Sequence, residues 1–199
     1  MTQANWAEKT LLNNSIWLLA QRRHLLSVWK DSLLLPGGST LLEVGCGRGA
    51  GAVMLFEEFN PSRLDAFDVD EYMVTKAKRY ASEYEGKINI RLGDVSKLDA
   101  PDETYDAVFD SFTLHHVVDW RKGLSEISRV LKPGGYFAFG ELYGNTIRSY
   151  VIRNILHHPL EERFDRGHLV KALAENRMRL MERKNNIWGM GMIGVAKKS

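Results

Sequence analysis

Leu41-Leu42-Glu43-Val44-Gly45-Cys46-Gly47-Arg48-Gly49-Ala50-Gly51 decides how this chain is read. The run from Thr40 to Val44 reads as a buried strand, and Ala50 to Phe59 as a helix. Between them, glycine at every second position lets the backbone take positive φ and approach a ligand closely. The helix that follows presents free N–H groups to whatever lies over the turn. A bulky cofactor lying against this turn is the reading that follows.

The turn by itself fits two chemistries. Gly45, Gly47 and Ala50 satisfy the dinucleotide pattern G-x-G-x-x-G/A, with Asp65 and Asp68 roughly 20 residues further on. That pattern points to a nicotinamide oxidoreductase. Glu43, just before the first glycine, argues against a pyrophosphate, because like charges in a poorly solvated site cost several kcal/mol, roughly. Beside a cationic ligand the same carboxylate is favourable. A Glu43 that merely points to solvent from the strand end would decide nothing.

Length and composition narrow the field. The 199 residues suit one α/β domain and leave little room for a separate substrate domain. Hydrophobic residues make up 44% and charged residues 26%, as in an ordinary globular protein. A net charge of +2 gives no global field toward nucleic acid or membrane. The single cysteine, Cys46, excludes an internal disulfide and a cysteine-rich metal site and fits a reducing compartment. With no signal peptide or membrane-spanning run evident, the expected location is the cytoplasm.

Outward from the turn, strands and helices alternate. Residues from about Ala4 to Leu35 read as a helix, with Leu12, Ile16, Leu19, Leu26 and Trp29 near helical spacing. It could pack on the sheet or cover a ligand. Trp6, Trp17 and Trp29 near basic residues also suit a membrane surface. After the turn come a strand, Arg63 to Val69, and a helix, Glu71 to Tyr84, capped by Asp70, with Met73, Val74, Ala77, Tyr80 and Ala81 on its buried side. A third strand runs from Ile88 to Leu92 into Gly93-Asp94-Val95, and a fourth from Tyr105 to Ser111 into Phe112-Thr113-Leu114-His115-His116. Asp119 caps the next helix, Glu126 and Arg129 pair on its outer side, and Lys132-Pro133-Gly134-Gly135 ends it before a fifth strand from Tyr136 to about Leu142. Helices over Thr146 to Leu156 and Asp165 to Asn176 follow. The chain closes in a hairpin of about Leu180 to Trp188 and Met190 to Lys197, joined near Gly189. Asp68 sits at the carboxyl end of the second strand, where an open parallel sheet binds ligands and a carboxylate can accept both hydroxyls of a ribose. Asp94, with the Val95 N–H, can read an adenine edge.

Taken in order, Leu42-Glu43-Val44-Gly45-Cys46-Gly47-Arg48-Gly49, Phe67-Asp68-Val69-Asp70, Gly93-Asp94, Tyr105-Asp106-Ala107-Val108, Leu114-His115-His116-Val117 and Arg129-Val130-Leu131-Lys132-Pro133-Gly134-Gly135 resemble a class I S-adenosylmethionine-dependent methyltransferase. The resemblance is narrower to the branch that includes the quinone-biosynthesis methyltransferases, and it covers roughly Leu41 to Glu141. It implies a doubly wound, mostly parallel seven-stranded sheet with one antiparallel strand near the edge, and S-adenosylmethionine as cofactor. Gly45, Gly47 and Gly49 would line its homocysteine part, with Glu43 beside the ammonium. Asp68 would hold the ribose, Val69 would pack on the adenine, and Asp94 and Val95 would read its edge. Ser111 and Phe112 would lie near the methionyl chain. The ligand carries a sulfonium and an ammonium and no pyrophosphate, so nearby acids help.

The expected reaction is direct in-line methyl transfer to a small-molecule acceptor, with no nucleic acid as partner and no metal. The protein's chief task is then to hold the acceptor at attack distance and exclude water. Candidates for acid–base help or acceptor positioning are His115, His116 and Glu141, near the ligand edge; Glu141 could equally be a strand-end residue in solvent. His157 and His158 resemble half a metal site only superficially. The basic residues between Arg148 and Lys171 suit an anionic acceptor or a solvated face. Residues 1–199 are expected to form one domain: a helical extension (1–38), a cofactor-binding core (39–142), and acceptor-side helices with the closing hairpin (143–199). A protein that binds the cofactor without catalysis is the rival from another class.

Overall fold

Period-two alternation sends Leu42 and Val44 to one face of the sheet and Leu41 and Glu43 to the other, and each face carries its own core. The computed structural model describes residues 15–147, 164–181, 185–186 and 190–199, and side chains for 23–146, 164–181 and 190–199. The elements are α1 (Ser15–Lys30), β1 (Thr40–Val44), α2 (Ala50–Phe59), β2 (Arg63–Asp68), α3 (Glu71–Tyr80), β3 (Ile88–Leu92), β4 (Tyr105–Ser111), α4 (Trp120–Val130), β5 (Leu131–Leu142), α5 (Gly144–Ile147), α6 (Arg166–Glu175), β6 (Met178–Leu180), β7 (Asn185–Asn186) and β8 (Gly191–Lys198).

The strand order is β3-β2-β1-β4-β5-β8-β6, parallel from β3 to β5, with β8 antiparallel to its neighbours. β6 and β7 both pair along the outer side of β8, so they are two pieces of one edge strand and the sheet has seven strand positions. One face is covered by α4 and α6, whose Leu124, Ile127, Leu169 and Leu173 are fully buried. The other is covered by α1, α2 and α3 through Leu25, Trp29, Leu55, Val74 and Ala77. Order reverses between β2-β1 and β4, which is the switch point where such sheets bind ligands.

The expected caps are present: Asp70 accepts from Tyr72 N, Asp119 from Lys122 N and Asp165 from His168 N. Several boundaries differ from expectation. α3 stops at Tyr80 and a 3₁₀ turn, Ser82–Tyr84, follows, which leaves Tyr80 exposed where its spacing predicts burial. Lys132-Pro133-Gly134-Gly135 loops out of β5 between the pairs Tyr105–Leu131 and Ala107–Tyr136, with Gly134 at φ 77. Lys132 Nζ reaches both oxygens of Asp106 at 2.8 and 2.9 Å and so ties this loop to β4. Trp29 is buried against Phe109, with ring centroids 5.5 Å apart, so it faces the core and not a membrane. The part of the expected first helix before Ser15, with Trp6, the side chain of Trp17, most of the expected helix over Thr146 to Leu156, His157, His158 and Gly189 lie outside the described residues. No described helix is long and apolar enough to cross a membrane.

The Glu126–Arg129 pair does more than decorate α4. Arg129 also donates to Leu98 O, Ala100 O and Asp102, and Glu126 accepts from Leu98 N, so the pair fastens the loop after β3 to the helix. Arg129→Ala is expected to lower unfolding free energy by about 2 kcal/mol in urea denaturation, because two backbone carbonyls lose their donors.

Candidate functional site

The glycine turn is built from three left-handed residues with different neighbours. Gly45 (φ 68) has no room for a side chain: a Cβ there would meet Thr113 Oγ1 at 2.1 Å. Gly49 (φ 84) packs on the backbone of Ala77, where a Cβ would lie at 3.0 Å. Gly47 (φ 55) faces open space, with nothing within 4 Å of a Cβ. Of the three, Gly47 is therefore the position a ligand can press against.

The turn is stitched to the end of β2. Cys46 N donates to Phe67 O (2.9 Å), Gly47 N to Asp68 Oδ2 (2.8 Å), and Asp70 N to Asp68 Oδ1 (2.9 Å). Each Asp68 oxygen keeps further acceptor capacity for a ligand hydroxyl. Burial raises the Asp68 pKa above the usual carboxylate range, against hydrogen bonds from the backbone that lower it. Asp65, the other acid of the dinucleotide pattern, is buried inside β2 and held by Arg63, Asn89 and Tyr105. Val69 is half-buried beyond the end of β2. Asp94, half-buried after β3, accepts from Ser96 N and Oγ, and the Val95 side chain packs in the core.

Glu43 does not point to solvent. It is fully buried on the α1 side of the sheet. With Ser111 it lines a shallow recess whose other walls come from α1 (Leu25, Leu26, Trp29) and α2 (Gly51, Met54, Leu55). Phe112, next to Ser111, is held at φ 63, a conformation that bulky residues rarely adopt.

Glu141, too, is fully buried, so the strand-end-in-solvent alternative is wrong. It accepts from Leu114 N (2.7 Å) and His115 N (3.2 Å), and its Oε2 lies 2.6 Å from His115 Nδ1. His115 is buried and His116 half-buried, their ring centroids 4.3 Å apart. Two residues escaped the sequence reading: Asp110, fully buried and accepting from Thr113 N (2.8 Å), and Thr113, whose hydroxyl donates to Val44 O (3.1 Å). A signal existed, since Asp110 continues the buried face of Val108 with period two, as Glu141 continues that of Phe137 and Phe139.

Comparison with known proteins names this arrangement. Residues 42–139 match a family described as "Methyltransferase domain". A crystal structure of a SAM-dependent methyltransferase from Aquifex aeolicus superposes with a TM-score of 0.69 at 25% identity, over 88% of this chain and 89% of that one. Residues 42–139 are thus a methyltransferase domain of the S-adenosylmethionine-dependent kind. A ubiquinone/menaquinone biosynthesis C-methyltransferase of Geobacter sulfurreducens is 35% identical over 121 residues, covering 59% of this chain and 46% of the relative. A phthiotriol/phenolphthiotriol dimycocerosates methyltransferase of Mycobacterium tuberculosis is 34% identical over 109 residues, covering 55% of this chain and 40% of the relative. The chain thus spans less than half the length of these curated relatives. S-adenosylmethionine is the cofactor of the family. The open Gly47 cradle and the acids Glu43 and Asp68 around the turn fit a cationic adenosyl ligand.

The paired acids make a prediction. Burial raises the pKa of Glu141 to about 7 and, with repulsion from Glu141, lifts Asp110 well above the carboxylate range. Folded Glu141 thus keeps its proton at pH values where an unfolded glutamate has lost it. Raising pH from about 5 to about 8 then draws a proton from the fold and lowers stability. Thermal melts over that range should fall more steeply for the wild type than for Glu141→Gln; parallel curves would contradict the titration of this buried acid.

Proposed function

We propose that the protein transfers a methyl group from S-adenosylmethionine to a small-molecule acceptor by direct displacement. The observation that carries this reading is the Gly47 turn, open to a ligand and braced by Asp68 at the switch point of the sheet. In this reading Gly45, Gly47 and Gly49 shape the cradle for the homocysteine chain and Glu43 favours its ammonium from below. Asp68 accepts from the ribose, Val69 packs on the adenine, and Asp94 and Val95 read its edge. Ser111 and Phe112 meet the methionyl chain.

The bound cofactor supplies the electrophilic methyl and an excellent leaving group. The chain's own task is to orient the acceptor and exclude water, which is worth on the order of 7–11 kcal/mol in favourable cases. His116 is the residue we assign to the acceptor. His115, beside it in the loop after β4, and Glu141, which holds that loop from β5, act on it indirectly. Small-molecule acceptors are named for the curated relatives, which supports that class here. Residues 1–199 are taken as one domain serving this reaction.

A second reading, binding without catalysis, draws on the way His115 and Glu141 are engaged with each other. Methylated product trapped from a cell extract separates it from the enzyme. The binding step is tested by calorimetry. S-adenosylhomocysteine should bind and stabilise the protein while NADH does not, and Asp68→Ala should weaken that binding far more than His116→Ala, by tenfold or more, roughly. Binding of NADH alone, or the reverse order of the two variants, would overturn the assignment.

A further inference from the structure

Three consecutive backbone N–H groups end on two buried carboxyl groups. Thr113 N donates to Asp110 Oδ1 at 2.8 Å, Leu114 N to Glu141 Oε1 at 2.7 Å, and His115 N to Glu141 Oε2 at 3.2 Å. The acids come from adjacent parallel strands. The register places Asp110 beside Phe139, two residues before Glu141, so both side chains leave the same face of the sheet. Both are 0% exposed.

A short 3₁₀ turn such as Leu114–His116 does not need this. One capping side chain or water satisfies such N–H groups elsewhere, whereas burying two acids side by side is costly. What the clamp abuts is Phe112 at φ 63. A bulky residue in the left-handed region persists only where its surroundings over-determine it. Phe112 N is pinned on one side to Gly140 O (2.9 Å) and the next residue is pinned on the other by Asp110. Thr113 is fixed further by its bond to Val44 O, directly over Gly45.

We propose that Asp110 is a positioning residue of the methyl-donor site: with Glu141 it clamps the Thr113–His115 backbone and so holds Ser111 and Phe112 against the cofactor's methionyl chain. This rests on the reading above that places the methionyl chain along those two residues. Asp110 itself touches no ligand. Its Oδ1 accepts from Thr113, and burial beside Glu141 raises its pKa well above the usual carboxylate range, which keeps the acid neutral. Asparagine reproduces both features, a carbonyl that accepts from Thr113 and a neutral head group. Alanine removes the acceptor.

Calorimetry of the full chain at neutral pH tests this with two ligands. S-adenosylhomocysteine carries the amino-acid chain, and 5′-methylthioadenosine has the adenosine and sulfur without it. Asp110→Ala should weaken S-adenosylhomocysteine by about tenfold or more and leave methylthioadenosine within about twofold, and Asp110→Asn should hold both within about twofold. Equal losses on both ligands, no loss on S-adenosylhomocysteine, or an Asn variant as impaired as Ala would overturn the proposal. Should the Ala variant not fold, Glu141→Gln carries the same expectation at constant size, since its amide cannot accept from His115. A wild type that binds neither ligand would remove the assigned cofactor, and the proposal with it.

Discussion

The hydrogen bond from Thr113 Oγ1 to Val44 O is made over a residue with no side chain, and the site depends on it. It joins the loop after β4 to the end of β1 at the place where strand order reverses. Any side chain on Gly45 would collide with Thr113, so the glycine serves a protein–protein approach within the fold. Gly49 serves a second one, against α3. With both spent on packing, the turn is held rigidly enough for Gly47 to remain open. A ligand cradle here is a by-product of tight packing on either side of it.

Acids recur at the carboxyl ends of the strands: Glu43 on β1, Asp68 on β2, Asp110 on β4 and Glu141 on β5. They divide into two kinds. Asp68 braces the turn and Glu43 lies beneath it, where both would bear on the charge of the proposed ligand. Asp110 and Glu141 are spent on backbone N–H groups, and burial raises the pKa of both. The site is thus electronegative on the side of the turn, while the side facing the loop after β4 is stiffened without adding two full charges. That division suits a ligand whose positive charge is fixed and whose acceptor must be held in line.

Much of this was legible in the sequence because local chemistry dictates it. β1, α2, β3 and β4 fall at the expected residues, and Asp70, Asp119 and Asp165 cap helices as their positions require. Spacing alone does not separate Asp68 from Asp65; the place of Asp68 at the carboxyl end of the second strand does, and the burial of Asp65 under Tyr105 and Arg63 agrees with it. The clamp was hidden for a different reason. Asp110 and Glu141 are brought together by the pairing of β4 with β5, a non-local fact that no window of sequence contains. Lys132-Pro133-Gly134-Gly135 follows the end of α4 as expected, but its place as a loop within β5 is not legible locally, because its partner, Asp106, lies on another strand. The positive φ of Phe112 has no local signature at all, since nothing about phenylalanine favours it.

The central claim is that an adenosyl sulfur ligand lies against Gly47 and the Ser111–Phe112 peptide, at the carboxyl ends of β1 and β4. Amide ¹H–¹⁵N spectra recorded during titration with S-adenosylhomocysteine test it directly. The account predicts the largest shifts at Gly47, Ser111 and Phe112, with Gly134 and Gly135 at the opposite end of the strands unmoved. Shifts centred on the latter pair, or a Gly47 signal that ignores the ligand, would contradict it.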